Sequence, residues 1–139
     1  MGKVVVAARI ENLEDSFMVH QGYKAAELAR VVEVDDALID TGATSLCMPR
    51  RLIQQLGLRA VRTRPARTSA GTVTVQVYEA VRLTIQGRDC LQPVVELPDE
   101  CPVLIGLLPI EHLDFVVDPI GQRLIGNPAH GGEQMLEMY

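Results

Sequence analysis

The sequence predicts an all-β domain closed into a barrel-like form, with one or two short helices, and three observations carry that expectation. Apolar residues make up 47% of the 139-residue chain while aromatics make up only 4% and Trp is absent. The core must therefore rest on Val, Leu, Ile and Ala, and the β-branched members of that set favour a pleated sheet. Apolar and polar residues alternate with a period of two over long stretches, as in half-buried strands. Helical spacing, in contrast, is confined to short runs bounded by Pro or Gly. A chain of this size fits a single domain over 1–139, with its core at about 3–126 and a loose tail at 127–139.

Taken in order, Lys3 to Ile10 is rich in β-branched residues and reads as a strand, followed by a polar stretch from Glu11 to Gly22. Lys24 to Arg30 suits a short helical turn. Val31 to Ile39 is extended and runs into Asp40-Thr41-Gly42, where the glycine permits a tight change of direction. Met48, Leu52 and Leu56 recur every four residues around Pro49, with Gly57 closing the run, which predicts a short amphipathic helix. From Arg59 to Ile85 the period returns to two: Val73, Val75 and Val77 alternate with Thr72, Thr74 and Gln76. With Ser69-Ala70-Gly71 as the turn, this is a long hairpin. Pro102 to Ile105 is a short apolar strand ending at Gly106, and Leu107 to Leu113 carries Pro109 where a first helical turn would start. Phe115 to Val117 and Gln122 to Ile125 flank Asp118-Pro119-Ile120-Gly121 as a second hairpin. Asn127 to Tyr139 has no period and is expected to be loose.

Composition also narrows the function. A formal net charge of −5 argues against general affinity for nucleic acid or anionic membrane. Arg62, Arg64 and Arg67 cluster, but their spacing on a strand is that of a solvated face. Cys47, Cys90 and Cys101 are odd in number and irregular in spacing, without a CxxC pair, as expected of free thiols in a reducing compartment. The apolar run Val4 to Ala8 is too short for a signal peptide, and no stretch approaches the roughly 20 apolar residues of a membrane span. A soluble, cytoplasmic protein is expected.

Hydrolysing a peptide bond without a metal or a covalent nucleophile requires a base to activate water and an acid to protonate first the carbonyl oxygen and then the leaving nitrogen. Two carboxylates sharing one proton supply both, because like charges a few ångströms apart cannot both ionise cheaply. Each acid must sit at the end of a rigid strand beside a small residue. Asp40-Thr41-Gly42 offers an acid, a hydroxyl and a residue without a side chain. The tripeptide alone is also compatible with a structural Asp that caps backbone amides at a turn.

The run Ala37-Leu38-Ile39-Asp40-Thr41-Gly42-Ala43-Thr44-Ser45 resembles the active-site loop of the retropepsins, the retroviral-type aspartic peptidases. Leu104-Ile105-Gly106 followed by Leu107-Leu108 is similar to that family's second mark, an apolar pair and glycine opening a short helix. The hairpin turning at Ser69-Ala70-Gly71 is similar to its flap, and the likeness covers roughly Val31 to Ile125. Leu107 stands where viral members often carry Arg, and the flap tip has one glycine, a pattern more similar to the short cellular and bacterial members. The resemblance implies an aspartic endopeptidase with Asp40 as catalytic residue, Thr41 in a hydrogen-bond network across a dimer axis, Gly42 against substrate backbone and Ala43 in the supporting loop. It also implies Ala70 and Gly71 at the flap tip and no cofactor or metal. One aspartate per chain implies a homodimer acting on a peptide or protein substrate, with no nucleic acid or membrane partner. The competing expectation is a noncatalytic dimeric module that keeps the fold and binds peptides without cutting them.

Other candidates carry less. Asp35 and Asp36 are neighbours on a strand, so their side chains point to opposite faces and do not share a proton. His20, His112 and His130 are not at metal-ligand spacing, and His112-Leu113-Asp114 has a common surface pattern. Cys47 reads as a small buried hydrophobe and not as a nucleophile.

Overall fold

The period-two segments pair into a closed ring. The computed structural model describes residues 3–138; Met1, Gly2 and Tyr139 lie outside the described residues. In chain order the elements are β1 (Val5–Asn12), α1 (Leu13–His20), β2 (Val31–Ile39), β3 (Leu46–Pro49), α2 (Arg50–Leu56), β4 (Ala60–Thr68), β5 (Gly71–Ile85), β6 (Arg88–Leu97), β7 (Leu104–Ile105), α3 (Leu107–His112), β8 (Phe115–Asp118) and β9 (Arg123–Gly126). One-turn 3-10 helices occupy Ala26–Leu28 and Pro128–His130. Six strands follow one another around the barrel as β1-β2-β7-β3-β6-β5, and β5 pairs back to β1. Closure removes the free edges that an open sheet would present. β4 pairs with β5 alone and hangs off the ring as the outer strand of a long hairpin.

Ile10, Leu46, Met48, Val81, Leu83, Ile85, Val94 and Ile105 are buried in the core, as the Val/Leu/Ile-rich composition requires. α2 adds Leu52, Ile53 and Leu56 to it, and Gly57 ends that helix in the left-handed conformation (φ 65°) that glycine adopts without a Cβ penalty. Ile110 of α3, Leu113, Phe115 and Leu124 extend the same core under the β8–β9 hairpin.

Several segments differ from expectation. The polar stretch after β1 contains α1, capped by the Asn12 side chain, which accepts from the Asp15 amide. Its anchor is Asp15, 1% exposed, which is paired with Lys24 and Arg30. The helix thus docks through a polar cluster and not through an apolar stripe. β3 and β6 were not anticipated either, and both build the barrel wall around the site described below. His112-Leu113-Asp114 is not a surface run: Leu113 and Asp114 are buried, and Asp114 stands at positive φ (58°). Its carboxylate accepts from the Asn127 side chain, the His130 ring and the Met135 amide, while Arg88 donates to its carbonyl and to that of Gly132. The tail expected to be loose is therefore tied to the barrel as far as Met135, and Glu137 meets the other His130 nitrogen.

Candidate active site

β2 delivers Asp40 to the end of the barrel, and the ladder holds its backbone on both sides. Leu38 and Ile39 lie beside Leu104 and Ile105 of β7 in parallel register. The Asp40 amide donates to the Ile105 carbonyl at 3.0 Å, and its own carbonyl accepts from Ala43 at 3.1 Å. β7 also pairs with β3 in the opposite sense, Leu46 facing Ile105 and Cys47 facing Leu104. The short apolar strand before Gly106 is thus threaded between the strand entering the Asp40 loop and the strand leaving it.

Gly106 is what permits this threading. A Cβ there would stand 2.6 Å from the Ser45 nitrogen and 2.7 Å from the Thr44 carbonyl carbon, and closer still to the Ser45 carbonyl oxygen. All are backbone atoms with no rotamer to change. The close approach allows Gly106 to donate to Ser45 at 3.0 Å, Leu107 to Ala43 at 2.8 Å and Leu108 to Thr44 at 3.0 Å. Ala43 through Ser45 is consequently stitched to Gly106 and the start of α3.

Within that frame the Gly42 amide donates to Asp40 Oδ1 at 3.0 Å and orients the carboxylate. A Cβ on Gly42 would come to 3.2 Å from the same oxygen. Asp40 is half-buried, Thr41, Gly42 and Thr44 are exposed, and Ala43 is partly covered. Leu107 and Leu108, 40% and 42% exposed, lie beside the loop. The sequence marks these two leucines as the helix opening, but not as an apolar surface next to the acid. Two surface hollows, one bordered by Arg9, Asp35, Asp36 and Arg51 and the other by Phe17, His20 and Arg82, both exclude Asp40. In a single copy, the half-buried Asp40 is followed directly by the exposed Thr41 and Gly42.

Ser69 and Ala70 form the turn between β4 and β5, well exposed, with Gly71 at φ 113°. The Thr68 hydroxyl, a partner absent from the sequence-based expectation, accepts from the Ala70 amide and donates to the Gly71 carbonyl. The hairpin is exposed along β4 and the first residues of β5. Leu104 and Ile105, by contrast, are part of the barrel wall under the loop. Cys47 is buried, and burial, with the Asp40 carboxylate adding to it, pushes its thiol up to about 11. A thiol so far from ionising at neutral pH is no nucleophile. Asp35 and Asp36 are both exposed, away from the Asp40 loop. Among the described residues no group of three His, Cys, Asp or Glu is placed to hold a metal ion, and no helix is long and apolar enough to cross a membrane.

The arrangement is a carboxylate on a strand end, fixed through backbone, oriented by a glycine amide and flanked by apolar surface. A family model described as gag-polyprotein putative aspartyl protease matches residues 32–112, more than half of the chain. That span runs from β2 through the Asp40 loop, the hairpin and β7 to the end of α3. No curated protein matches the sequence.

Proposed function

The chain belongs to the gag-type aspartyl protease family, and on that premise we propose that it is an aspartic endopeptidase acting as a symmetric homodimer, with one Asp40 from each copy in a single site. The observation that carries this reading is the placement of Asp40. Its backbone is bonded to Ile105 and Ala43 and its Oδ1 to Gly42, in a loop whose Thr41 and Gly42 are exposed and whose Ala43 and Thr44 are bonded to the exposed Leu107 and Leu108. A carboxylate fixed in this way in an exposed loop beside exposed apolar residues suits a site completed by an identical surface, in which a residue meets its own copy across a two-fold axis.

In that dimer the two Asp40 side chains share one proton. The ionised one takes a proton from water as the water oxygen bonds to the scissile carbonyl carbon; the protonated one gives its proton to the carbonyl oxygen, yielding a gem-diol. The amide nitrogen then takes the proton held by the first carboxyl, and one gem-diol hydroxyl returns its proton to the other as the C–N bond breaks. The starting protonation state is restored, and no cofactor enters the cycle. The Ser69-Ala70-Gly71 hairpin, exposed on both faces, is suited to fold over a bound peptide, with Gly42 leaving space for its backbone. Thr41 would join the hydrogen bonds across the axis.

The test is to follow sedimentation and peptide cleavage together across a dilution series. Specific activity should fall with the dimer fraction. Undiminished specific activity in a purely monomeric sample would end the homodimer reading, and a dimer that binds peptides but cuts none would favour the noncatalytic module.

A further inference from the structure

The β4–β5 hairpin concentrates positive charge in an acidic protein. Residues 59–78 contain Arg59, Arg62, Arg64 and Arg67 and no Asp or Glu, although the chain carries a formal net charge of −5. Arg59 is committed to Glu79 and Glu14. Arg62, Arg64 and Arg67 are exposed and have no carboxylate partner among the described residues.

The register sorts these three arginines onto two faces. Arg62 lies opposite Val77 and Arg64 opposite Val75, whereas Arg67 lies opposite Thr72. Directly opposed residues share a face and successive residues alternate, so Arg62 and Arg64 share the valine face and Arg67 takes the other. Val77 in turn pairs with Val95, and Val95 with Cys47. One row of side chains therefore crosses the barrel wall from Cys47 through Val95 and Val77 to Arg62. On its other side Cys47 faces Leu104, and Leu104 faces Leu38, two residues before Asp40 and so on the same face as it. Arg62 thus lies on the face that carries Asp40, three strand spacings, or about 14 Å, from Cys47.

We infer that Arg62 and Arg64 select substrate by receiving carboxylate side chains of a peptide bound over Asp40, so that the site favours segments with Asp or Glu near the bond to be cut. This rests on the peptidase reading and gives it a substrate class. An extended peptide advances about 3.3 Å per residue, so about four residues span the distance from Arg62 to Cys47. Arg67, on the opposite face, serves as the solvated control.

The probes are fluorogenic decapeptides differing only in Glu, Gln or Lys at positions up to four residues either side of the central bond. Wild-type protein should cleave the best Glu peptide about fivefold faster in kcat/KM than its Gln counterpart, with Lys slowest, and high salt should shrink the difference. R62Q/R64Q should abolish the preference while still cutting the Gln peptide, and R67Q should retain it. Equal cleavage of the three peptides, or equal loss of preference in R67Q and R62Q/R64Q, would overturn the assignment and leave the peptidase standing. Anisotropy of the same peptides, labelled, on the Asp40→Asn dimer separates the two readings. Selective binding of Glu peptides by a protein whose wild type cuts none would overturn the peptidase and leave the acidic preference in place. Affinity for a single-stranded oligonucleotide lost in R62Q/R64Q, without any peptide preference, would overturn the inference in favour of a phosphodiester ligand.

Discussion

Gly106→Ala adds one methyl group at the point where β7 passes under the Asp40 loop, and its cost follows from the backbone around it. The new Cβ would lie 2.6 Å from the Ser45 nitrogen and 2.7 Å from the Thr44 carbonyl carbon, against the 3.5–4.0 Å of an ordinary contact, an overlap of about 1 Å. No rotamer change relieves it, so β7 and the loop must separate. That motion weakens the bonds from Gly106 to Ser45 and from Leu107 to Ala43, each worth about 1 kcal/mol net, on top of the ~1–3 kcal/mol typical of overpacking. A destabilisation of about 3 kcal/mol is expected, lowering Tm by about 10 °C in a domain of this size. Urea unfolding at fixed protomer concentration measures it, since association would otherwise shift the midpoint. Gly42→Ala is the matched control: its Cβ meets only Asp40 Oδ1, at 3.2 Å, so it should cost less than about 1 kcal/mol while impairing cleavage. A Gly106→Ala protein within about 0.5 kcal/mol of wild type would refute the threading argument.

Three further perturbations probe other parts of the structure. Asp15→Asn should cost about 2–3 kcal/mol at pH 7 by leaving Lys24 and Arg30 without their buried carboxylate. Arg30 and Lys24 hold the Asp15 carboxyl well below the usual carboxylate range, so its contribution is present above about pH 4 and lost below it. The urea midpoints of variant and wild type should therefore converge in acid, and a constant gap would contradict the assignment. Glu137 and Asp114 raise the His130 pKa above 6.5, so the charged ring holds the C-terminal segment most firmly below about pH 6.5 and loses its grip as pH rises through the folded value. Hydrogen-exchange protection over residues 127–137, after correction for the intrinsic rate, should fall across that rise in wild type and stay flat in His130→Gln. Cys47 should resist thiol reagents at neutral pH, and rapid labelling of Cys47 in the folded protein would contradict its burial beside Asp40.

The parts of the fold that could be read in advance are those where one periodicity dominates. β2 carries its apolar run directly into Asp40, the β4–β5 hairpin alternates Val with Thr or Gln around a glycine turn, and α2 ends on Gly57. Elements held by long-range partners were not legible. α1 buries one carboxylate against Lys24 and Arg30, and nothing local distinguishes that Asp from a surface one. β6 carries Asp89, Gln92 and Pro93 and becomes a barrel strand because β3 and β5 flank it. Asp114 reads as surface until Asn127, His130 and Met135 fold back onto it. At the candidate site, Asp40 and Gly106 are identifiable by motif, but the role of Gly106 as the gap through which β7 passes exists only in the pairing of β2, β7 and β3. The side of the sheet on which Arg62 stands likewise depends on register, which alternation alone leaves open.

The central claim, one site assembled from two Asp40 carboxylates, is tested most directly by mixing subunits. Asp40→Asn keeps the size and much of the hydrogen bonding of the side chain while removing its ability to ionise, so the barrel should still form. Wild-type and variant chains are unfolded together, refolded at several ratios, and assayed for peptide cleavage against the wild-type fraction. A dimer with one carboxylate cannot hold the shared proton, so activity should follow the square of that fraction, and equal mixing should leave about a quarter of full activity. A straight line through the origin, with about half the activity at equal mixing, would mean that each chain carries a complete site, contradicting the shared dyad.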